Sequence, residues 1–167
     1  LIKGLSYLEG KEITKKELAK IAIKIEREIL KESGGIQDQI WAAYGGFNSI
    51  EINPDGDFFV KPMPVSEEFK KEFENSLCLV YANQQRDKDR KNILHYSKEA
   101  YNLFIREDIE SIFKIFLDSW EEKKNLSPLI MNPKLTHLEK ELKNHGAKSL
   151  KLLGSGGCGF FLCMSDP

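Results

Sequence analysis

Two carboxylates stand where an apolar pattern has no use for them. Asp38 lies in Gly34-Gly35-Ile36-Gln37-Asp38-Gln39, a glycine-bracketed loop opening a short apolar helix, and an ionised group there is expensive unless it acts. A carboxylate held in a glycine turn accepts a hydrogen bond from a hydroxyl and takes its proton as that oxygen attacks. On loop position alone, a helix-capping aspartate is the favoured reading. Glu26 is the second case. At about 100° per residue it projects beside Ala19, Ala22, Ile23 and Leu30, so it must be paired, protonated or bound to a cation. Arg27 or a lysine could supply a structural pair.

Two further segments carry groups suited to phosphate. Lys151-Leu152-Leu153-Gly154-Ser155-Gly156-Gly157-Cys158-Gly159 is a glycine-rich turn whose backbone N–H groups could approach an anion. Alone, it reads more readily as a ligand-free hairpin. Gln84-Gln85-Arg86-Asp87-Lys88-Asp89-Arg90-Lys91 is the densest basic cluster, and the Arg86 guanidinium matches a phosphate bidentately. A solvated helix start of mixed charge explains the same run equally well. His95, His137 and His145 share no metal-ligand spacing and read as surface or capping residues.

The elements that must position these groups follow from pattern. Thr14-Lys15-Lys16-Glu17 has the form of a capping box and opens a helix over residues 15–31, which Gly34 and Gly35 stop. Leu18, Ile21, Ala22, Ile25 and Ile29 form its apolar stripe. Residues 47–52 and 58–61 read as strands joined by the turn Asn53-Pro54-Asp55-Gly56, and a short polar helix spans 66–74. The continuous apolar run 76–81 predicts a strand buried on both faces. Residues 87–124 turn helical, with Ile105, Ile109, Ile112, Phe113, Phe116 and Trp120 in one stripe, Trp120 reading as core. Asn132-Pro133 caps a helix that ends at Gly146, and strands 149–153 and 160–164 flank the glycine turn. The fold class expected is α+β, a largely antiparallel sheet with helices packed on one side.

Composition bounds the partners. The 167 residues are 41% hydrophobic and 31% charged with net charge -1, which offers no general attraction to nucleic acid or anionic membranes. No apolar run approaches a membrane span, and the first residues are not a signal peptide. Cys78, Cys158 and Cys163 lack paired spacing, so a disulfide framework is not expected and cytoplasmic is the expected compartment. The chain begins at Leu1, and its last apolar run, 160–164, reads as a strand with nothing to pair or cover it. Both ends therefore read as internal to a longer protein.

The Gly-x-x-Asp-Gln run, the trailing Tyr44-Gly45-Gly46-Phe47-Asn48 and the Lys-Leu-x-Gly-x-Gly-Gly pattern at Lys151 together resemble the GHMP small-molecule kinases, in particular the branch that phosphorylates sugars at the anomeric position. The resemblance implies that Asp38 orients or deprotonates the sugar hydroxyl and that Glu26, twelve residues earlier, holds Mg²⁺ on the nucleotide phosphates. It implies acceptor contacts at Gly35, Gln39, Tyr44, Gly156 and Gly157, with Gly154 and Ser155 towards the cofactor ATP. Cys158 replaces one glycine of that motif, and Arg86 would clamp a second phosphate on the acceptor. The function implied is ATP-dependent phosphorylation of a heptose 7-phosphate for nucleotide-sugar synthesis. Fucose- or galactose-directed kinases, or a non-catalytic binding domain of the same fold, are the alternatives, and a homodimer is left open. Residues 1–46 would end the amino-terminal kinase domain and 47–167 form an incomplete carboxyl-terminal one. The family's earlier glycine-serine loop, Pro-x-x-x-Gly-Leu-Gly-Ser-Ser-Ala, is not in the sequence, so this segment alone is expected neither to bind ATP tightly nor to turn over.

Overall fold

A computed structural model describes residues 1–32, 34–82, 94–126, 130–153 and 159–166. The chain forms two compact units, Leu1–Met63 and Pro64–Pro167. In the first, helix α1 (Ile2–Leu8) precedes α2 (Lys15–Lys24). Thr14 caps α2 as expected: its hydroxyl accepts from the Glu17 amide while the Glu17 carboxylate takes the Thr14 amide at 2.9 Å. The helix does not run evenly to residue 31. It widens into a π turn, Ile25–Ile29, with Leu30 N donating five residues back to Ile25 O at 2.9 Å. The chain leaves it through Lys31 in the left-handed region, φ 53°, ahead of the glycines expected to stop it. Of the expected stripe, Ile21, Ile25 and Ile29 are exposed, and so is Leu30; the π turn rotates only the residues that follow its start, and Ile21 is already exposed on the regular helix.

Helix α3 (Gln37–Tyr44) packs on α2, and the antiparallel hairpin β1 (Asn48–Ile52) and β2 (Phe58–Pro62) closes the unit. Ala19, Ile40 and Phe58 are its buried core, with Tyr44 edge-on to Phe58. Lys16 and Lys20 both reach the Asp57 carboxylate, at 3.0 and 3.1 Å, tying α2 to the hairpin turn.

The second unit begins with α4 (Glu67–Asn75), capped by the Ser66 hydroxyl, and strand β3 (Leu77–Tyr81). Helices α5 (Leu94–Ile105), α6 (Ile109–Leu126) and α7 (Pro133–Asn144) follow, then β4 (Ser149–Leu152) and β5 (Phe160–Met164). The Asn132 side chain caps α7 by accepting from Lys134 N and Leu135 N, and Gly146 ends it at φ 95°. The strands form one antiparallel sheet in the order β3-β5-β4. The last run, expected to have no partner, is thus the central strand, paired on both sides. Conversely β3, expected to be buried on both faces, lies at an edge with Leu79 and Tyr81 about 60% exposed. One sheet face carries Val80, Leu150, Leu152, Phe161 and Cys163 under Trp120 of α6 and Leu135, Leu138 and Leu142 of α7. That is the α+β arrangement expected, with helices on one side of an antiparallel sheet. Among the described residues no helix is long and apolar enough to cross a membrane.

Candidate active site

The site is built where α2 unwinds. Glu26 lies in the π turn, half-buried, and its carboxylate accepts a hydrogen bond from the Gln39 side-chain amide and pairs with Arg27 at 3.2 Å. Gln39 is buried on the first turn of α3, next to Asp38. The glutamate is therefore joined to the aspartate-bearing helix through the aspartate's own neighbour. The Gln39 carbonyl Oε1 is buried with no partner. A polar atom so placed costs free energy unless a ligand or water meets it.

Arg27 fixes the connecting loop. Its guanidinium donates to Glu32 O at 2.7 Å and to Gly35 O, spanning the glycine pair with only 18% of its side chain exposed. A β-carbon on Gly34 would lie 2.8 Å from Arg27 Cζ, so a side chain here would have to displace the guanidinium; no positive φ is involved. The structural pair between Glu26 and Arg27 that the sequence allowed is thus present, and it leads into the Asp38 loop.

Asp38 is exposed at the second position of α3. The capping position is Ile36, which makes no side-chain cap, and among the described residues the Asp38 carboxylate forms no hydrogen bond. The helix-capping reading therefore does not apply, and the site is solvated rather than apolar. A negative charge in a first helical turn is favourable, yet Asp38 does no bonding work among the described residues. Gly35 lends its carbonyl to Arg27, whereas Tyr44 faces the Phe58 core from the far end of α3. Arg86, Gly154, Ser155, Gly156, Gly157 and Cys158 lie outside the described residues.

Two residues near the site carry no weight in the motif. Arg27 reads as one more basic residue on a polar helix face until its loop contacts are known. Trp41 is 59% exposed, its Nε1 donating to Gly46 O at 3.1 Å. It follows Asp38 by three residues, a spacing that shares a helix face and was available from sequence.

Two family models match this chain: "GHMP kinases N terminal domain" over residues 1–46, which contain Glu26, Arg27, Asp38 and Gln39, and "GHMP kinases C terminal" over residues 100–167. The chain belongs to the GHMP kinases. A curated relative, D-glycero-alpha-D-manno-heptose 7-phosphate kinase of Campylobacter jejuni, is 31% identical over 90% of this GHMP chain and 50% of its own length. A solved structure from Campylobacter jejuni assigned as a sugar kinase superposes with a TM-score of 0.77 at 30% identity, covering 99% of this chain and 52% of that one. A D-glycero-D-manno-heptose 1-phosphate kinase from Bacteriodes thetaiotaomicron shares the fold, TM-score 0.75 at 24% identity, over 99% of this chain and 49% of its own. The GHMP chain thus spans about half the length of the relatives it matches.

Proposed function

We propose that this chain is part of an ATP-dependent sugar kinase that transfers the γ-phosphoryl group to the anomeric hydroxyl of a heptose 7-phosphate. Family membership and the name of the Campylobacter jejuni relative support the reaction class and the acceptor. The observation that carries the reading is Asp38: a motif carboxylate, exposed, without a hydrogen-bond partner among the described residues, on a helix tied back to Glu26.

Phosphoryl transfer asks the protein for positioning more than for covalent chemistry. Asp38 accepts the hydrogen bond of the acceptor hydroxyl, aligning its lone pair with the γ-phosphorus. As the new O–P bond forms and the β–γ bridging bond breaks, the hydroxyl proton passes to Asp38 and ADP leaves. Glu26 is the residue that would hold Mg²⁺. Each of its oxygens has one protein donor, so lone pairs remain for an ion, and 39% of its side chain is exposed. Among the described residues no three His, Cys, Asp or Glu side chains cluster as a metal cage, which suits an ion that completes its shell with phosphate oxygens and water. Such an ion supplies charge neutralisation on the nucleotide phosphates. Gln39 then acts as a positioning residue for Glu26. Gly154, Ser155, Gly156 and Gly157 keep their proposed contacts to nucleotide and acceptor, Arg86 its phosphate clamp, and the division at residues 46 and 47 its family sense. The expected compartment is the cytoplasm.

ADP release by the full-length protein tests this, with heptose 7-phosphate, fucose, galactose and mannose as acceptors. Turnover is expected on the heptose phosphate, and Asp38→Asn should lower kcat by roughly 100-fold or more with KM changed only a few-fold. Near-normal kcat in that variant would remove the role of Asp38.

A further inference from the structure

Cys78 and Cys163 are far apart in the sequence, yet the sheet of the second unit sets them side by side. They are directly opposed across the antiparallel pair β3 and β5. On the same ladder, Ser165 N donates to Ser76 O at 3.0 Å and Ala82 N to Gly159 O at 2.8 Å. Hydrogen-bonded pairs alternate along an antiparallel ladder, so Cys78 and Cys163 form one of them, with α-carbons about 5.5 Å apart. That falls inside the span a disulfide bridges, about 4.4–6.8 Å. Opposed residues also project to one sheet face, here the face that carries Val80 and Phe161 under Trp120. The two thiols are both free and differ in access: Cys163 is buried in that core at 6% exposure, whereas Cys78 is exposed on the edge strand.

An accessible thiol with a second thiol directly behind it is the arrangement of an attacking and a resolving cysteine. We propose that Cys78 and Cys163 form a thiol–disulfide exchange site that reacts with low-molecular-weight disulfides and closes into a reversible cross-strand disulfide. In the first step the Cys78 thiolate attacks one sulfur of the small disulfide. A mixed disulfide forms on Cys78, and one small thiolate leaves and takes the proton that Cys78 lost. In the second step Cys163 attacks Cys78 Sγ, the protein disulfide forms, and the second small thiolate leaves with the Cys163 proton. Two protein thiols are oxidised and one small disulfide is reduced to two thiols. Burial, with Cys78 beside it, pushes the Cys163 thiol up to about 11, so Cys78 is the entry point and the second step is the slow one. The opposed β-carbons stand about 4.5–5.5 Å apart, against about 3.5–4.5 Å in a disulfide. Closure must therefore draw the strands together, which makes the bond a readily reduced one and not a permanent staple. Such a transient bond is consistent with a chain that has no disulfide framework. The site lies wholly within the second unit and uses no residue of the proposed phosphoryl transfer.

The test uses the full-length protein, with oxidised glutathione as the disulfide and peptide mapping without reductant after an acid quench. The parent should give the Cys78 peptide joined to the Cys163 peptide, and dithiothreitol should return both thiols. Cys163→Ala should stop with glutathione on Cys78, and Cys78→Ser should leave Cys163 unmodified. In the parent, conversion of the mixed disulfide to the cross-link should quicken roughly tenfold for each pH unit from about 7 to 9, following the thiolate fraction of Cys163. Separately, N-ethylmaleimide should label Cys78 of the folded parent at least roughly tenfold faster than Cys163. A mixed disulfide that persists on Cys78 in the parent, or a bond from Cys78 to any other cysteine, overturns the pair. Cys78 inert to both reagents overturns its role as the entry thiol. Both of these outcomes are read on the unmodified protein, so they decide the proposal even where a variant fails to fold.

Discussion

Arg27 sets how rigidly the two carboxylates are presented. Its guanidinium holds Glu26, Glu32 O and Gly35 O at once, and the missing side chain of Gly34 is what lets it lie there. Gly34→Ala puts a methyl group into the guanidinium, and since no positive φ is involved, the cost comes almost entirely from expelling Arg27. Arg27→Met removes the same bonds from the other partner. Each variant should lose about 1–3 kcal/mol of the stability of the first unit, the worth of hydrogen bonds to a charged group. The double variant should lose little more than either alone, because one interaction cannot be removed twice. Urea unfolding of the four proteins measures this; additive losses would show that Gly34 and Arg27 act separately.

Helices α6 and α7 are joined by a charge network that the apolar stripe Leu135, Leu138 and Leu142 conceals. Glu139 is buried, and Lys124 and Lys143 each reach it at 2.9 Å. Burial alone would raise its carboxyl, but the hydrogen bonds and charges of the two lysines more than offset this and hold it below the ordinary value of 4.5. A depressed carboxyl stabilises the fold above its unfolded value and stops doing so as the pH falls through the folded one. Glu139→Gln should therefore lower stability by about 1–3 kcal/mol at pH 7. That deficit should shrink as Tm is followed from near 4.5 towards pH 3; a deficit constant across that range would show that charge is not the cause. What was legible at this scale is what local chemistry decides. The capping box at Thr14, the Asn132-Pro133 cap and the Asn53–Gly56 turn were readable because each satisfies its own backbone within a few residues, and Trp120 was readable as core from its stripe. The π turn was not, since the helical repeat persists on both sides of it, and neither was the edge position of β3, which depends on which distant strand claims its hydrogen bonds. The same divide runs through the site. Asp38 and Glu26 stand out as motif residues, whereas the loop strap of Arg27 arises only from tertiary contact.

The two units differ in how much they bury. Large side chains fill the second: Trp120, Phe161, Leu135, Leu150 and Leu152 are essentially inaccessible around one face of the sheet. The first rests on Ala19, Ile40 and Phe58, while Leu5, Tyr7, Leu8, Ile29, Leu30 and Trp41 remain exposed. A unit of that size buries only about 60% of the surface its unfolded chain presents and is marginal on that account. Local stability should follow burial. In hydrogen exchange on this 167-residue chain, amides of α2 and α3 should exchange at least roughly tenfold faster than those of β4, β5 and α6, a difference of about 1.4 kcal/mol in opening free energy. In the full-length protein, the exposed apolar side chains of the first unit give further chain a surface to cover, and its amides should slow towards the values of the second. Equal protection of both units in the 167-residue chain would mean that the small core of Ala19, Ile40 and Phe58 suffices by itself. Equal rates in the chain and in the full-length protein would mean that the exposed residues around Trp41 serve the ligand and not the fold.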